Sequence, residues 1–296
     1  MRSRDQGLIP NISKEFPREK TLDMFRRMCL IRYFEFNVKS TYDQGLMPKS
    51  PIYLSMGQEA ISAALATTIN KPALFGQHRS HDIYLAFGGN PEKLIDELLG
   101  WPTGCAEGMG GSASIHCPEI KMFGHDGLMG TQVPIAVGYA LATNKMTIAF
   151  MGDASAEEGY VLGSIGYAAT KKAPVLFVVC DNNLSILTKT SVRRSWTMAD
   201  HANFGMPSVE IADDPWLIMH HVNKLKLSLP AIINIHTCRE LWHAGTGRDG
   251  DSEWNRFELT TNELVKLELG TEADRIMRHT IDYLDKLWNE KLKEQK

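Results

Sequence analysis

The chain has no C-x-x-C pair, no apolar run of membrane length and no marked excess of charge of either sign. Its five cysteines, Cys29, Cys105, Cys117, Cys180 and Cys238, are odd in number and irregularly spaced. A zinc site or redox pair of C-x-x-C type is therefore excluded, and free thiols in a reducing compartment are expected. The longest apolar runs, such as residues 175–180, are far too short to cross a bilayer. A formal net charge of −3 leaves no electrostatic footprint for nucleic acid or an anionic membrane surface. Residues 1–16 hold neither the apolar core nor the small-residue cleavage site of a secretory signal, so a cytoplasmic location is expected. No G-x-G-x-x-G follows an apolar run, which weighs against a dinucleotide-binding oxidoreductase.

The 296 residues, 43% of them hydrophobic, suffice for one sizeable core. Residues 1–17 read as an irregular arm, broken by Gly7, Pro10 and Pro17. Helices are predicted over residues 21–42, 57–69 and 91–100, the last beginning on Pro91, a favoured first helical position. Residues 102–130 are rich in glycine, and an irregular stretch of that length inside a domain is usually functional. Beyond it, apolar runs at 146–151, 174–180 and 231–236 alternate with helical patterns at 159–172 and 215–229. Buried strands alternating with helices indicate an α/β fold with a parallel sheet flanked by helices. The arm, a domain over residues 18–260 and a charged helical tail over 261–296 are the expected organisation.

In such sheets ligands bind beyond the carboxyl ends of the strands. Two polar clusters fall there. GDASAEEG, residues 152–159, joins an apolar run to a helix, whose unpaired N–H groups suit a phosphate, and Asp153 adds a hard oxygen donor. DNNLSI, residues 181–186, follows the next run and offers a carboxamide oxygen and a turning backbone. Magnesium takes oxygen ligands of this kind and commonly bridges protein to diphosphate. Each cluster alone reads as easily as a helix cap or a turn. Together they are more specific, with Asn182 standing 29 residues after Asp153 (182 minus 153).

The pair resembles the G-D-G…N motif of thiamine-diphosphate enzymes. Five further segments follow the order found in the alpha subunits of 2-oxo acid dehydrogenases of the pyruvate, branched-chain and acetoin type. They are GQEA at 57–60, HRSH at 78–81, GMGGSASIH at 108–116, GLMGTQVPIAVGYALA at 127–142 and TCRELWH at 237–243. The resemblance implies the thiamine-diphosphate-binding fold, with thiamine diphosphate and magnesium as cofactors. It also implies that Asp153, Asn182 and the carbonyl of Leu184 hold the metal. Gly152, Ala154 and Ser155 would meet the diphosphate, with Arg79 and His78 beside it. The backbones of Gly127 and Met129 would meet the aminopyrimidine ring. His81, His116 and His243 would face the substrate as proton donors or anchors. The pyrimidine-activating glutamate belongs to a second domain in this family, so a beta subunit is implied as partner, in a heterotetramer.

Four departures qualify the resemblance. GDA replaces GDG, which requires a negative φ at Ala154. HR replaces Y-R. DNNLSI is nearer the form of deoxyxylulose-phosphate synthase, which favours Asn182 over Asn183 as ligand. The phosphorylatable H-S-x-S-D loop is replaced by HAGTGRDGD. The implied activity is decarboxylation or cleavage of a 2-oxo acid or ketone donor, a small molecule, with transfer of the acyl or aldehyde unit. A lipoyl acyltransferase is the acceptor in the dehydrogenase reading. A split transketolase or acyloin-type carboligase and a non-catalytic assembly subunit stay open as alternatives. Plainer roles are expected elsewhere. His220 and His221 read as structural, His236 as a satisfied core histidine, Glu157 and Glu158 as helix-dipole compensation, and the methionines as core filler. Trp242 suits either the pocket or the packing of its own loop.

Overall fold

The computed structural model describes residues 3–124, 127–198 and 204–294. Positions 1–2 of the arm, 125–126 of the glycine-rich stretch and 295–296 of the tail lie outside the described residues. The elements run α1 (Arg18–Asp43), α2 (Glu59–Thr68), β1 (Ala73–Phe75), α3 (His81–Ala86), α4 (Pro91–Leu98), β2 (Met122–Phe123), α5 (Gln132–Thr143), β3 (Thr147–Gly152) and α6 (Gly159–Lys171). There follow β4 (Val175–Asp181), β5 (Leu184–Ser185), β6 (Thr188–Lys189), α7 (Thr190–Arg193), β7 (Ser208–Ala212), α8 (Pro215–Leu225), β8 (Ala231–His236), α9 (Arg256–Lys266) and α10 (Gly270–Glu294).

Six strands form one parallel sheet in the order β2-β1-β3-β4-β8-β7. The period of two along each strand divides the core between its faces. Ile148, Phe150, Leu176, Val178, Ile233 and Ile235 face a layer containing α1, α2, α3 and α8. Ala149, Met151, Val175, Phe177 and Val179 face α5 and α6. The result is an α/β fold of three layers. Burial on both faces is why these strands read as unbroken apolar runs and not as alternating ones.

The long strands and helices fall where the sequence places them, within a few residues. The helix predicted to 229 stops at Leu225. The charged tail is two helices, separated at Glu268, whose φ is +60°. It packs back on the domain: Trp288 meets Phe34 edge-on at 5.1 Å, and Lys291 reaches Glu92 and Asp96 at 2.9 and 3.0 Å. The arm also docks, since Ala212 N–H donates to the Gln6 carbonyl at 2.8 Å along the edge strand β7. β1, β2, β7 and α5 go beyond the sequence reading. The first two hold three and two residues, too few to show a period.

The glycine-rich stretch wraps around one carboxylate. Glu97, on α4 and 1% exposed, accepts hydrogen bonds from four backbone N–H groups: Ala106 (2.7 Å), Gly108 (2.9 Å), Gly110 (2.8 Å) and Gly111 (2.9 Å). A Cβ at Gly104 would stand 2.6 Å from the Glu97 backbone, so the loop can close only without one. An amide at position 97 would turn two of the four contacts donor against donor. Glu97→Gln is expected to cost about 3 kcal/mol, seen as a fall in melting temperature of about 6 °C or more. An unchanged melt would mean that the carboxylate does not hold the loop.

Candidate functional site

Four segments converge because they leave the carboxyl ends of four neighbouring strands, β1, β3, β4 and β8. They are Gly76–Arg79 in sequence order after β1, Asp153–Glu158 after β3, Asn182–Ile186 after β4 and Thr237–His243 after β8. A cavity of about 260 Å³ opens between them. It is lined by His78, Arg79, Met129, Gly152, Asp153, Ala154, Ser155, Asn182, Leu184 and His243, together with Gln58, Gln77, Glu158, Cys180, Ser185 and Ile186.

At one side stands Arg79, 5% exposed. Its guanidinium donates to the carbonyls of Leu54 and, at 2.8 Å, of His243. Among the described residues it makes no ion pair with a carboxylate. Burial and the nearby Arg239 guanidinium lower its pKa to about 10, so it stays charged at neutral pH. Arg239 is likewise buried, bonded to Asp249 and, at 2.6 Å, to the Ile186 carbonyl, while its Nη1 has no hydrogen-bond partner. Asp249 compensates Arg239, whereas Arg79 lines the cavity without such a partner among the described residues, which suits an anion.

Opposite stand the oxygen donors. Asp153 is 2% exposed, and its pKa is raised by burial and by Asp181. Its Oδ2 accepts from Thr190 Oγ1 at 3.1 Å and from Arg193 Nη2. Asn182 Oδ1 accepts from Leu184 N–H at 3.1 Å, which sets the turn. Asn183 takes a φ of +66° and is not among the lining residues. Asp181 anchors the turn: it accepts from Asn183 N–H at 2.9 Å and from Asn234 Nδ2 at 3.3 Å. Ala154 has a φ of −75°, within reach of any residue, so alanine in the G-D-G position carries no backbone strain. Burial pushes the Cys180 thiol up, which keeps it protonated and unreactive.

The glutamine of GQEA lines the cavity, whereas its glutamate is structural. Glu59 Oε1 accepts from Arg32 at 2.8 Å, and Arg32 forks onto both Glu240 oxygens at 2.7 and 2.9 Å. This buried triad ties α1 and α2 to the segment after β8. Gly57, at a φ of +94°, lets the two segments touch, for a Cβ there would lie 2.4 Å from the Cys238 carbonyl.

Three expected residues stand outside the lining set. His81 is wholly buried behind the cavity. Its Nδ1 meets Glu35 Oε2 at 3.0 Å and its Nε2 meets Ser112 Oγ at 2.9 Å. Tyr53 N–H donates to Ser112 Oγ at 2.8 Å, so the hydroxyl proton is free to point at Nε2 and the ring proton at Glu35. Both ring nitrogens are thus committed to protein, because α3 begins at His81 and turns it inward, and this corrects the substrate-facing expectation. His116 is exposed, bonded through Nδ1 to Gly124 N–H at 3.3 Å. Gly127 is exposed at a φ of +92°. Of the plainer expectations, His236 is buried and only half satisfied: Nε2 meets Glu210 at 2.8 Å, while Nδ1 has no hydrogen-bond partner and stands 3.5 Å from Asp181. Trp242 packs its own loop: its ring lies against Gly247, where a Cβ would stand 2.5 Å from it, and its backbone N–H donates to the Gly247 carbonyl at 2.8 Å. Glu157 pairs with Arg193 and Arg194 at 3.1 and 3.5 Å, a specific role that dipole compensation does not describe. Met109 is 89% exposed and is not core filler.

The sequence reading missed Arg239, although the TCRELWH segment contains it, and Tyr53, for which no local pattern exists. The Tyr53 ring meets those of His78 and His243 edge-on, at 4.8 and 5.8 Å, and the two imidazoles lie 5.1 Å apart. Burial, then Arg79 and Arg239, hold the His243 pKa down to about 4. Its folded pKa is below the unfolded value, so its contribution to stability is present above about pH 6.5 and is lost as pH falls toward about 4. An NMR titration should find the His243 ring neutral at pH 5.5, with protonation only near pH 4. A midpoint at or above 6.5, the ordinary value, would contradict the two-cation environment.

Sequence comparison gives these features a lineage. The pattern of the dehydrogenase E1 component family matches residues 26–226. The chain is 32% identical over 203 residues to the pyruvate dehydrogenase E1 component subunit alpha of Zymomonas mobilis, covering 66% of this chain and 57% of that one. It is 34% identical over 180 residues to the mitochondrial subunit alpha-1 of Arabidopsis thaliana, covering 59% and 46%. Against the Rickettsia felis subunit alpha it is 30% identical over 243 residues, covering 77% and 74%. The chain thus spans about half the length of the first two relatives and three quarters of the third. With the match extending over more than half of its length, the chain belongs to the dehydrogenase E1 component family.

Proposed function

We propose that the chain is the alpha subunit of a thiamine-diphosphate-dependent 2-oxo acid dehydrogenase and that its cavity holds the magnesium diphosphate end of the cofactor. One observation carries the reading: a buried guanidinium without a carboxylate partner, Arg79, shares a cavity with two oxygen donors at neighbouring strand ends, Asp153 and Asn182. The donor set is one that magnesium accepts. The names of the relatives favour the dehydrogenase over the carboligase and over a non-catalytic subunit.

In this reading Asp153, the Asn182 carboxamide and the Leu184 carbonyl hold magnesium. Backbone groups of Gly152, Ala154 and Ser155 and the Arg79 guanidinium hold the diphosphate, and Met129 and Gly127 meet the pyrimidine. The bound cofactor supplies the carbanion stabilisation that decarboxylation of a 2-oxo acid requires. His243, neutral and half-buried, can accept or donate a proton at the cavity mouth. His78, its ring tilted against that of His243 at 5.1 Å, narrows that mouth. His116 would approach the substrate only if its loop closed over the cavity. A beta subunit carrying the pyrimidine-binding domain, in a heterotetramer, would complete the site, and a lipoyl acyltransferase would take the acyl group. No described helix is long and apolar enough to cross a membrane. Five free cysteines suit a reducing compartment, and we place the chain in the cytoplasm.

Calorimetric titration of thiamine diphosphate into the chain co-purified with its beta subunit tests the reading. Saturable binding should require magnesium. Asp153→Asn and Asn182→Ala should each weaken it by at least about 100-fold, since the first removes the charge that meets the metal and the second removes a ligand oxygen. Asn183→Ala should bind nearly as the parent does. Full binding by Asp153→Asn, or binding indifferent to magnesium, would reject the site.

A further inference from the structure

Asp153 is already held by a cation of the protein's own. Arg193, on the single turn α7, places Nη2 against Asp153 Oδ2, and its Nη1 donates to the Thr188 carbonyl at 2.6 Å. The same guanidinium is shared with Glu157: Nε stands 3.3 Å from both Glu157 oxygens and Nη2 stands 3.1 Å from Oε1. The side chains of Arg193 and Asp153 are 14% and 3% exposed, so water screens the pair poorly. Arg194 beside it lies 3.5 Å from Glu157 and 3.7 Å from Asp181, and stacks on Trp196 at 4.8 Å. Two arginines of one short segment thus neutralise the carboxylates at the ends of β3 and β4.

We propose that Arg193 is a built-in counter-ion for Asp153, with which a divalent metal must compete in order to bind. The inference rests on the reading of Asp153 as a metal ligand. Asp153 Oδ2 is taken by the guanidinium and by Thr190 Oγ1, which leaves Oδ1 for a metal, and a dication on Oδ1 would face the guanidinium across one buried carboxylate, where like charges repel strongly. Displacement is short, because Glu157 offers Arg193 a second seat that it already half occupies. The guanidinium turns from Asp153 onto Glu157, and no charge is left unpaired. In the metal-free chain the same contact keeps Asp153, Glu157 and Asp181 from repelling one another. Metal affinity is therefore set by a competition within α7 as well as by the ligands themselves.

The test uses manganese alone as probe, with free ion read by electron paramagnetic resonance in the full chain. Arg193→Met should bind Mn²⁺ about tenfold more tightly than the parent, the worth of one charge-assisted hydrogen bond removed from the competition. Arg193→Gln serves equally should the first variant fail to fold. Arg194→Met removes the same charge without freeing Asp153 and should change affinity less than about threefold. Manganese should also alter Trp196 emission in the parent, a change lost in Trp196→Phe, as α7 shifts. Unchanged affinity in Arg193→Met, or equal tightening in Arg194→Met, overturns the counter-ion role. Undiminished binding by Asp153→Asn, or no binding by parent and Arg193→Met alike, would instead overturn the assignment of Asp153 as ligand.

Discussion

A guanidinium kept from water and bonded only to carbonyl oxygens is costly unless a negative charge comes to meet it. Arg79 is in that position, and the geometry around it follows from the need. Leu54 and His243 supply the carbonyls that fix its plane. Burial, then the Arg79 and Arg239 guanidiniums, hold the His243 pKa down to about 4. The opposite wall, built from Asp153 and Asn182, supplies oxygen for a metal. One cavity thus carries separated complements for an anion and for a cation, which is what a metal diphosphate presents.

Support for this cavity comes from charged groups that never face it. Glu97 gathers the glycine-rich stretch. Ser112 of that stretch bonds both His81 and the Tyr53 backbone, and the Tyr53 ring in turn meets the two histidines at the mouth edge-on. Arg32 clamps Glu59 to Glu240 and so joins the helical layer to the segment after β8. Each network is buried and closed, the condition under which polar groups specify one arrangement instead of destabilising it.

Much of the fold and half of the chemistry were legible in the sequence for a physical reason. β3, β4 and β8 are buried on both faces, so they stand out as apolar runs, and the polar residues that end them mark the sheet's ligand-binding edge. Asp153 and Asn182 are found that way. β1 and β2 escape because three or two residues carry no period, and β1 is the strand that delivers Arg79. Motif letters likewise cannot say which way a side chain points. HRSH contains two histidines, and only the start of α3 decides that His78 faces the cavity while His81 turns into the core. Glu97 and its loop, or Arg193 and Asp153, are partnerships between residues whose spacing follows no local rule, so no pattern announces them. The methionines show the same limit, with Met122 in the core and Met109 in solvent.

The central claim is that the ends of β3 and β4 hold a divalent metal for a diphosphate anchored by Arg79. A crystal of the chain with its beta subunit, grown with manganese and thiamine diphosphate, measures it directly through anomalous scattering. The account requires one manganese peak in contact with an Asp153 oxygen, the Asn182 carboxamide oxygen and the Leu184 carbonyl, with diphosphate density against Arg79. A peak at Asn183, a peak away from Asp153, or diphosphate density remote from Arg79 would contradict it.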